Sequence, residues 1–359
     1  MKYKLTRTQQ SWIRWLAVWL ASFTAIVVLV PGLLVRTGPG KEPEPAPPAA
    51  EQPSAARQQD ELLIPVYRAK EKRTEKMALE QYVRGVVAAE MPIEFEPEAL
   101  KAQAMAARTY IVRRLLDGDQ SNVPDVHALV TDTTSHQAYV TDEELRQRWG
   151  DEAFLSRIDK LKRAVEETRD LVLTYQGKPI EASFFSTSNG YTENSEDYWN
   201  FTVPYLRSVP SPWDAKLSPR YKETVAFTSK ELQRKLGLPG AVPVSAGSPL
   251  GIKVIEKSQG NRIKKLSIGG KLLTGREVRE KLGLNSSQFQ WSWSGGEWRF
   301  TTFGYGHGVG MSQWGANGMA MEGRKAEDIV KYYYAGIAID RASNLLVGKT
   351  FQQNRFSRV

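Results

Sequence analysis

The first pattern along the chain is an apolar one. From Trp15 to Val35 no residue is charged, and Ala, Val, Leu, Ile, Phe and Trp dominate. At about 1.5 Å per helical residue, such a run crosses a hydrocarbon core of roughly 30 Å. It predicts a single transmembrane anchor over 15–35. Residues 1–14 carry Lys2, Lys4, Arg7 and Arg14, which favours a cytoplasmic N-terminus at the cell membrane and an extracytoplasmic remainder. A cleaved signal peptide is the rival reading of the same pattern. Residues 36–60 contain the tract GPGKEPEPAPPAAEQP, which cannot build a core and reads as an extended linker.

Beyond this linker the chain reads as one domain, 61–359, of the α+β class. The apolar run 62–67 has strand character, and Pro65 confines it to a sheet edge. Leu79, Tyr82, Val83, Val86 and Val87 then recur at helical spacing, and Pro92 ends that helix around Glu90. Pro97, flanked by Glu96 and Glu98, starts a second helix that Gly118 stops, with Lys101 and Arg108 on one face. Further helical patterns cover 142–149 and 157–169. Residues 171–185 alternate like a hairpin around Gly177 and Lys178 and run into Ser186-Thr-Ser188-Asn-Gly190.

From about 214 to 298 the texture changes, and an inserted smaller subdomain is expected there. It holds a strand pair at 252–256 and 262–268 and two helical segments, 229–238 and 275–284, that echo each other; the echo reads as coincidence rather than a repeat. The main core is expected to resume with Trp298-Arg-Phe, a glycine-rich block around His307 and a helix over 326–335.

At 359 residues, with 41% hydrophobic positions, the chain can bury a sizeable core. It has no cysteine, so neither a disulfide nor a thiolate is available. A net charge of +9 suits an anionic surface or polymer, but a plain solubilising excess explains it equally well. Among three histidines, only His127 and His136 with Asp132 approach a metal-ligand set, and the chemistry needs no metal. Gly-x-Ser-x-Gly is absent, and no Ser/His/Asp set is visible from spacing. The glycine run 304–311 lacks a surrounding βαβ unit and is not a nucleotide site, so neither cofactor nor nucleic acid is expected. His307 is read as a turn-fixing or hydrogen-bonding residue.

Glu90 is the chemical candidate. A carboxyl delivered from an apolar run to a helix C-terminus has its pKa raised by desolvation and by the helix dipole. Such a lone acid suits glycosidic cleavage if the substrate supplies its own nucleophile.

Three blocks, Val87-Ala-Ala-Glu-Met-Pro92, Lys101-Ala-Gln-Ala-Met-Ala-Ala-Arg-Thr-Tyr110 and Gly306-His-Gly-Val-Gly-Met-Ser-Gln313, resemble the catalytic-domain family of stage II sporulation protein D. The resemblance extends from about Leu62 to Ile339. It implies a lytic transglycosylase acting on peptidoglycan glycan strands, with Glu90 as acid and base, a 1,6-anhydro product and a role in wall remodelling during sporulation and engulfment. It further implies that Lys101 and Arg108 bind carboxylates or acetamido groups of the glycan. Ser186, Ser188, Tyr205, His307 and Gln313 would line the cleft, and Asp214 would orient substrate or stabilise charge at the anomeric centre. The implied partners are an N-acetylmuramoyl-L-alanine amidase and a membrane scaffold protein. Some relatives resemble a zinc site in the loop that is Cys-free here. The alternative from the same broader family is a non-catalytic wall-binding protein that stimulates the amidase.

Overall fold

The computed structural model describes residues 62–238 and 250–347. The anchor and linker expected before residue 61 lie outside the described residues. Among those described, no helix is long and apolar enough to cross a membrane.

The described chain is mixed α+β. Strands β1 (Leu63–Arg68) and β2 (Arg73–Ala78) form an antiparallel pair that runs straight into helix α1 (Leu79–Glu90), and α2 (Pro97–Asp117) follows. Next come β3 (Val130–Thr131), α3 (Asp142–Trp149), α4 (Asp151–Glu166), β4 (Leu171–Tyr175), β5 (Lys178–Pro179) and β6 (Phe184–Phe185). Two short helices, α5 (Ser195–Trp199) and α6 (Asp214–Leu217), precede β7 (Lys222–Thr228), α7 (Ser229–Leu236), β8 (Lys253–Lys257), β9 (Ile263–Ile268) and β10 (Lys271–Thr274). Then follow α8 (Gly275–Leu282), β11 (Phe289–Ser294), β12 (Glu297–Phe303), β13 (Met311–Ser312), α9 (Gln313–Met321), α10 (Ala326–Tyr333), β14 (Ala338–Arg341) and α11 (Ala342–Leu346).

Helix α2 is the axis of the main core. Pro97 opens it, and Gly118 closes it in the left-handed conformation, donating its N–H to the Arg114 and Leu115 carbonyls. Ala99, Ala102, Ala104, Ala106 and Ala107 are all buried, so small side chains face neighbours on every side. This lets α1, α4, α9, α10 and β4 pack around one rod. No solvated basic face exists on it at Arg108, which is completely buried.

Several expectations need correction. Strand β1 is central, not an edge, in the order β2-β1-β3. Pro65 lies opposite Lys76 of β2, and its carbonyl accepts the Leu129 N–H at 2.8 Å, while the β3 pairing itself begins only at Val66. Helix α4 starts at Asp151, directly after Gly150, rather than at 157. The hairpin turns at Gln176 and Gly177, both with positive φ, and its second strand is only Lys178–Pro179. Trp298 and Phe300 do not rejoin the main core. They belong to a second cluster with Leu232, Leu236, Leu266, Ile268, Val278 and Leu282, and the main core is regained at Val309.

In that second cluster the two echoing segments have the same construction. Thr228 with Glu231 and Thr274 with Glu277 form capping boxes, Gly237 and Gly283 provide left-handed C-caps, and the two helices touch.

One close approach ties α1 to the loop before α3. A Cβ on Gly85 would lie 2.2 Å from Tyr139 Cε2 and 2.6 Å from the Val140 carbonyl oxygen. We expect Gly85→Ala to lower stability by about 1–3 kcal/mol through overpacking, despite alanine's better helix propensity. Urea denaturation checks this, and an unchanged or higher midpoint would contradict the close contact.

Candidate active site

Glu90 is the last residue of α1, and the extended Met91 returns its N–H to the Val87 carbonyl at 3.0 Å. The carboxyl is therefore carried on the end of a helix whose inner face, including Val83, Val86 and Val87, is locked in the core. Its Oε1 accepts the Ala138 N–H at 3.1 Å, and the Gln313 side chain also bonds to the carboxyl. Burial raises the pKa of Glu90, against the lowering effect of those two hydrogen bonds.

Two further glutamines are linked to these contacts, Gln103 through Gln313 and Gln137 as the residue before Ala138. Gln313 Nε2 donates to Gln103 Oε1 at 3.5 Å, and the Tyr82 hydroxyl donates to Gln137 Oε1 at 3.3 Å. The Nε2 atoms of Gln103 and Gln137 are buried without a hydrogen-bond partner among the described residues.

Gln313 reaches Glu90 because the start of α9 is pinned from two sides. On one side, Ser312 caps α9 by accepting the Gly315 N–H at 3.3 Å and donates its hydroxyl to Asp214. Asp214 is fully buried and also accepts the Ser188 N–H and the Ser211 hydroxyl, each at 2.7 Å. Burial raises its pKa, and the Ser211, Ser312 and Ser188 hydrogen bonds oppose the rise. On the other side, Trp314 packs edge-on against Phe95 with centroids 4.7 Å apart, and Asn317 Oδ1 accepts the Glu96 N–H at 2.8 Å. The turn that follows Glu90 is thereby fastened to the helix that begins with Gln313.

The other expected site residues divide differently. Arg108 is not a free ligand. Its guanidinium makes a bidentate pair with Glu80, 2.9 and 2.6 Å, and donates to the Leu171 and Val165 carbonyls, joining α1, α2, α4 and β4. Lys101 is held by Glu98 and Glu167; burial works against its charge, yet hydrogen bonds to Glu167 and Glu98 leave its pKa raised.

Asp214 and Ser188 are both fully buried and connect to the Glu90 arrangement through Ser312, the residue before Gln313. Ser186 is partly exposed, with its carbonyl accepting the Trp314 N–H at 3.1 Å. Tyr205 lies elsewhere. It borders a cavity of about 560 Å³ with Arg113 and Tyr175, ten residues along α2 from Gln103, or roughly 15 Å. Neither this cavity nor those lined by Arg84 and by Arg262 includes Glu90 among its lining residues.

His307 is fixed as a neutral ring. Nδ1 accepts the Val309 N–H at 3.1 Å, so Nε2 carries the proton and donates it to the Phe184 carbonyl at 3.0 Å. Desolvation, followed by the charges of Arg262 and Arg279, lowers its pKa to about 3. It has no free nitrogen for use as a base. His136 is similarly engaged, by Thr131 and the Ser121 carbonyl, while Asp132 accepts the Ala69 N–H.

A family model described as "Stage II sporulation protein" matches residues 67–175. Stage II sporulation protein D of Bacillus subtilis (strain 168) is 46% identical over 344 residues, which covers 92% of this chain and 97% of that relative. The chain belongs to the stage II sporulation protein D family. The protein of the same name from Bacillus amyloliquefaciens is 49% identical over 283 residues, 79% of this chain and 80% of the relative. The amidase enhancer of Bacillus subtilis (strain 168) is 29% identical over 305 residues, 72% of this chain and 40% of the relative.

In this member of the stage II sporulation protein D family, the model match contains Glu90 and Gln103 but ends before Gln313. Gln103 lies inside the Lys-Ala-Gln-Ala block, where the charges of Lys101 and Arg108 are the stronger signal and a neutral amide carries little. The Ala138 N–H has no sequence signal, since any residue but proline would supply it.

Two outcomes follow. Arg108→Ala should cost about 3–5 kcal/mol, because it strands the Glu80 carboxylate beside the core; urea denaturation measures it, and a change under 1 kcal/mol would refute the structural role. Gln313→Leu removes a donor to the carboxyl, so Glu90 should titrate at higher pH than in the parent, as followed by carbon NMR of its side chain.

Proposed function

We propose that the chain is a peptidoglycan lytic transglycosylase that cuts the bond from N-acetylmuramic acid to N-acetylglucosamine and leaves 1,6-anhydro ends. The reading rests most on Glu90, an acid kept toward its protonated form by burial and held in position by Gln313 and the Ala138 N–H. Protonated Glu90 gives its proton to the glycosidic oxygen as the bond to the anomeric carbon breaks, and the amino sugar leaves with a free 4-hydroxyl. The Glu90 carboxylate then takes the proton of the muramic 6-hydroxyl as that oxygen closes on the anomeric carbon, which restores the acid. The nucleophile belongs to the same sugar, so its effective concentration is high and no second carboxylate is needed. Gln103, bonded to Gln313, keeps an amide donor without a partner among the described residues and suits an acetamido oxygen of such a glycan.

The same proposal places the domain outside the cell membrane, anchored through 15–35, on strands already stripped of peptide by an N-acetylmuramoyl-L-alanine amidase and near a membrane scaffold protein. It assigns the activity to wall remodelling in sporulation and engulfment.

A second reading, a wall-binding protein that stimulates the amidase without cutting, draws on the relative named amidase enhancer and on the place of Glu90 outside the three cavities. Mass spectrometry of glycan strands incubated with the protein separates the two. Cleavage with 1,6-anhydro ends is expected, and Glu90→Gln should slow it by about 10²–10⁴-fold while strand binding persists. Intact strands that remain bound to the parent protein would favour the stimulating module.

A further inference from the structure

A second constellation lies away from Glu90, where the turn between β8 and β9 meets the glycine-rich block. Arg262 is buried, and its Nη1 is anchored to Ser286 Oγ at 2.9 Å and to the Gly306 carbonyl at 3.0 Å. Its Nε and Nη2 are buried and have no hydrogen-bond partner among the described residues. The opposing charge is Glu193, whose Oε1 stands 3.7 Å from Nε, beyond hydrogen-bond reach, and accepts the Ser258 hydroxyl at 2.9 Å. Two glycines make room for the pair. A Cβ on Gly308 would lie 2.6 Å from Arg262 Nε, and one on Gly260 would lie 1.9 Å from Glu193 Oε1. Arg262 and Glu193 both line a cavity of about 240 Å³, with Tyr198, Asn200, Thr274 and Ser287 in its wall.

The Nε and Nη2 hydrogens of a guanidinium form one edge, the fork that receives both oxygens of a carboxylate. Here that edge is held by the Nη1 contacts and has no hydrogen-bond partner among the described residues, while the hydroxyl, amide and aromatic groups in the cavity wall suit a sugar. We infer that this cavity is a carboxylate-binding site in which the Nε and Nη2 edge of Arg262 holds the acid group of a saccharide. Resting on the function proposed above, the ligand is the free lactyl carboxylate that muramic acid carries once its stem peptide is removed. The site would then distinguish stripped strands from peptide-bearing ones, in which that carboxyl is an amide.

Glu193 competes for the same edge only when ionised. Desolvation raises its pKa to about 7, although Arg262 lowers it. The neighbouring acids are already matched, Glu196 by Arg207 and Asp197 by Lys264. Hydrogen bonds to Asp197 and Glu256 raise the pKa of Lys264, and one to Glu280 raises that of Arg276, so both stay cationic, while His307 stays neutral; Lys265 and Arg279 are the other bases nearby. Affinity for the ligand should therefore fall as pH rises through about 7 and Glu193 becomes a carboxylate.

Calorimetric titration of the full chain with N-acetylmuramic acid, with its carboxyl methylamide and with N-acetylglucosamine tests the site. The acid is expected to bind at least about tenfold more tightly than either neutral sugar, and Arg262→Gln should abolish the difference. Because Arg262 is buried, Glu193→Gln is the companion variant; it should strengthen binding of the acid above pH 7 and flatten the pH dependence. Equal binding of acid and methylamide by the parent, or unchanged affinity in Glu193→Gln above pH 7, would overturn the site. Strand cleavage followed alongside keeps the two readings apart: cleavage without a carboxylate preference removes this site and leaves the transglycosylase standing, whereas a carboxylate preference without cleavage does the reverse.

Discussion

The buried carboxyl of Asp214 is the point on which the candidate site hangs. It gathers the Ser188 N–H and the hydroxyls of Ser211 and Ser312, three segments distant in sequence. Ser211 also meets the Tyr333 hydroxyl at 2.8 Å, which brings α10 into the same network. An acid without water is costly unless its lone pairs are filled, and here they are filled by groups whose positions decide where α9 begins. Gln313 follows Ser312 directly, so the direction of its amide is inherited from Asp214.

The other half of the arrangement is apolar. Helices α1 and α2 are set by their burial patterns, and the Arg108–Glu80 pair crosses between them inside that packing. Breaking such a pair leaves one charge stranded, so its value lies in alignment rather than in net attraction. Glu90 and Gln103 come from these two helices, Gln313 from a third, and Phe95, Trp314 and Asn317 close the triangle.

Much of this frame was legible in the chain. Helical spacing from Leu79 to Val87, Pro97 as an opener and Gly118 as a stop gave α1 and α2 their limits, because those signals act locally. Glu90 stood out by its apolar approach only in company with the two other blocks, since a helix-end acid by itself reads equally as a solvated one. Arg108 and Asp214 could not be assigned that way, since a charged residue at helical spacing looks the same whether its partner is solvent, substrate or a residue far along the chain. Pro65 signals an edge that it cannot guarantee, for a related reason: which side of a strand lacks a neighbour is a tertiary fact. Trp298 and Phe300 look like core residues and are, but of a second cluster that no local pattern separates from the first.

The glycine run around His307 has a further consequence. Gly308 stands against the Arg262 guanidinium, and Gly310 has room for no Cβ, which would fall 2.0 Å from the Ser183 carbonyl oxygen. Alternating glycines in this protein record distances between chain segments. A substitution in the run would therefore be felt first as misalignment between two cores.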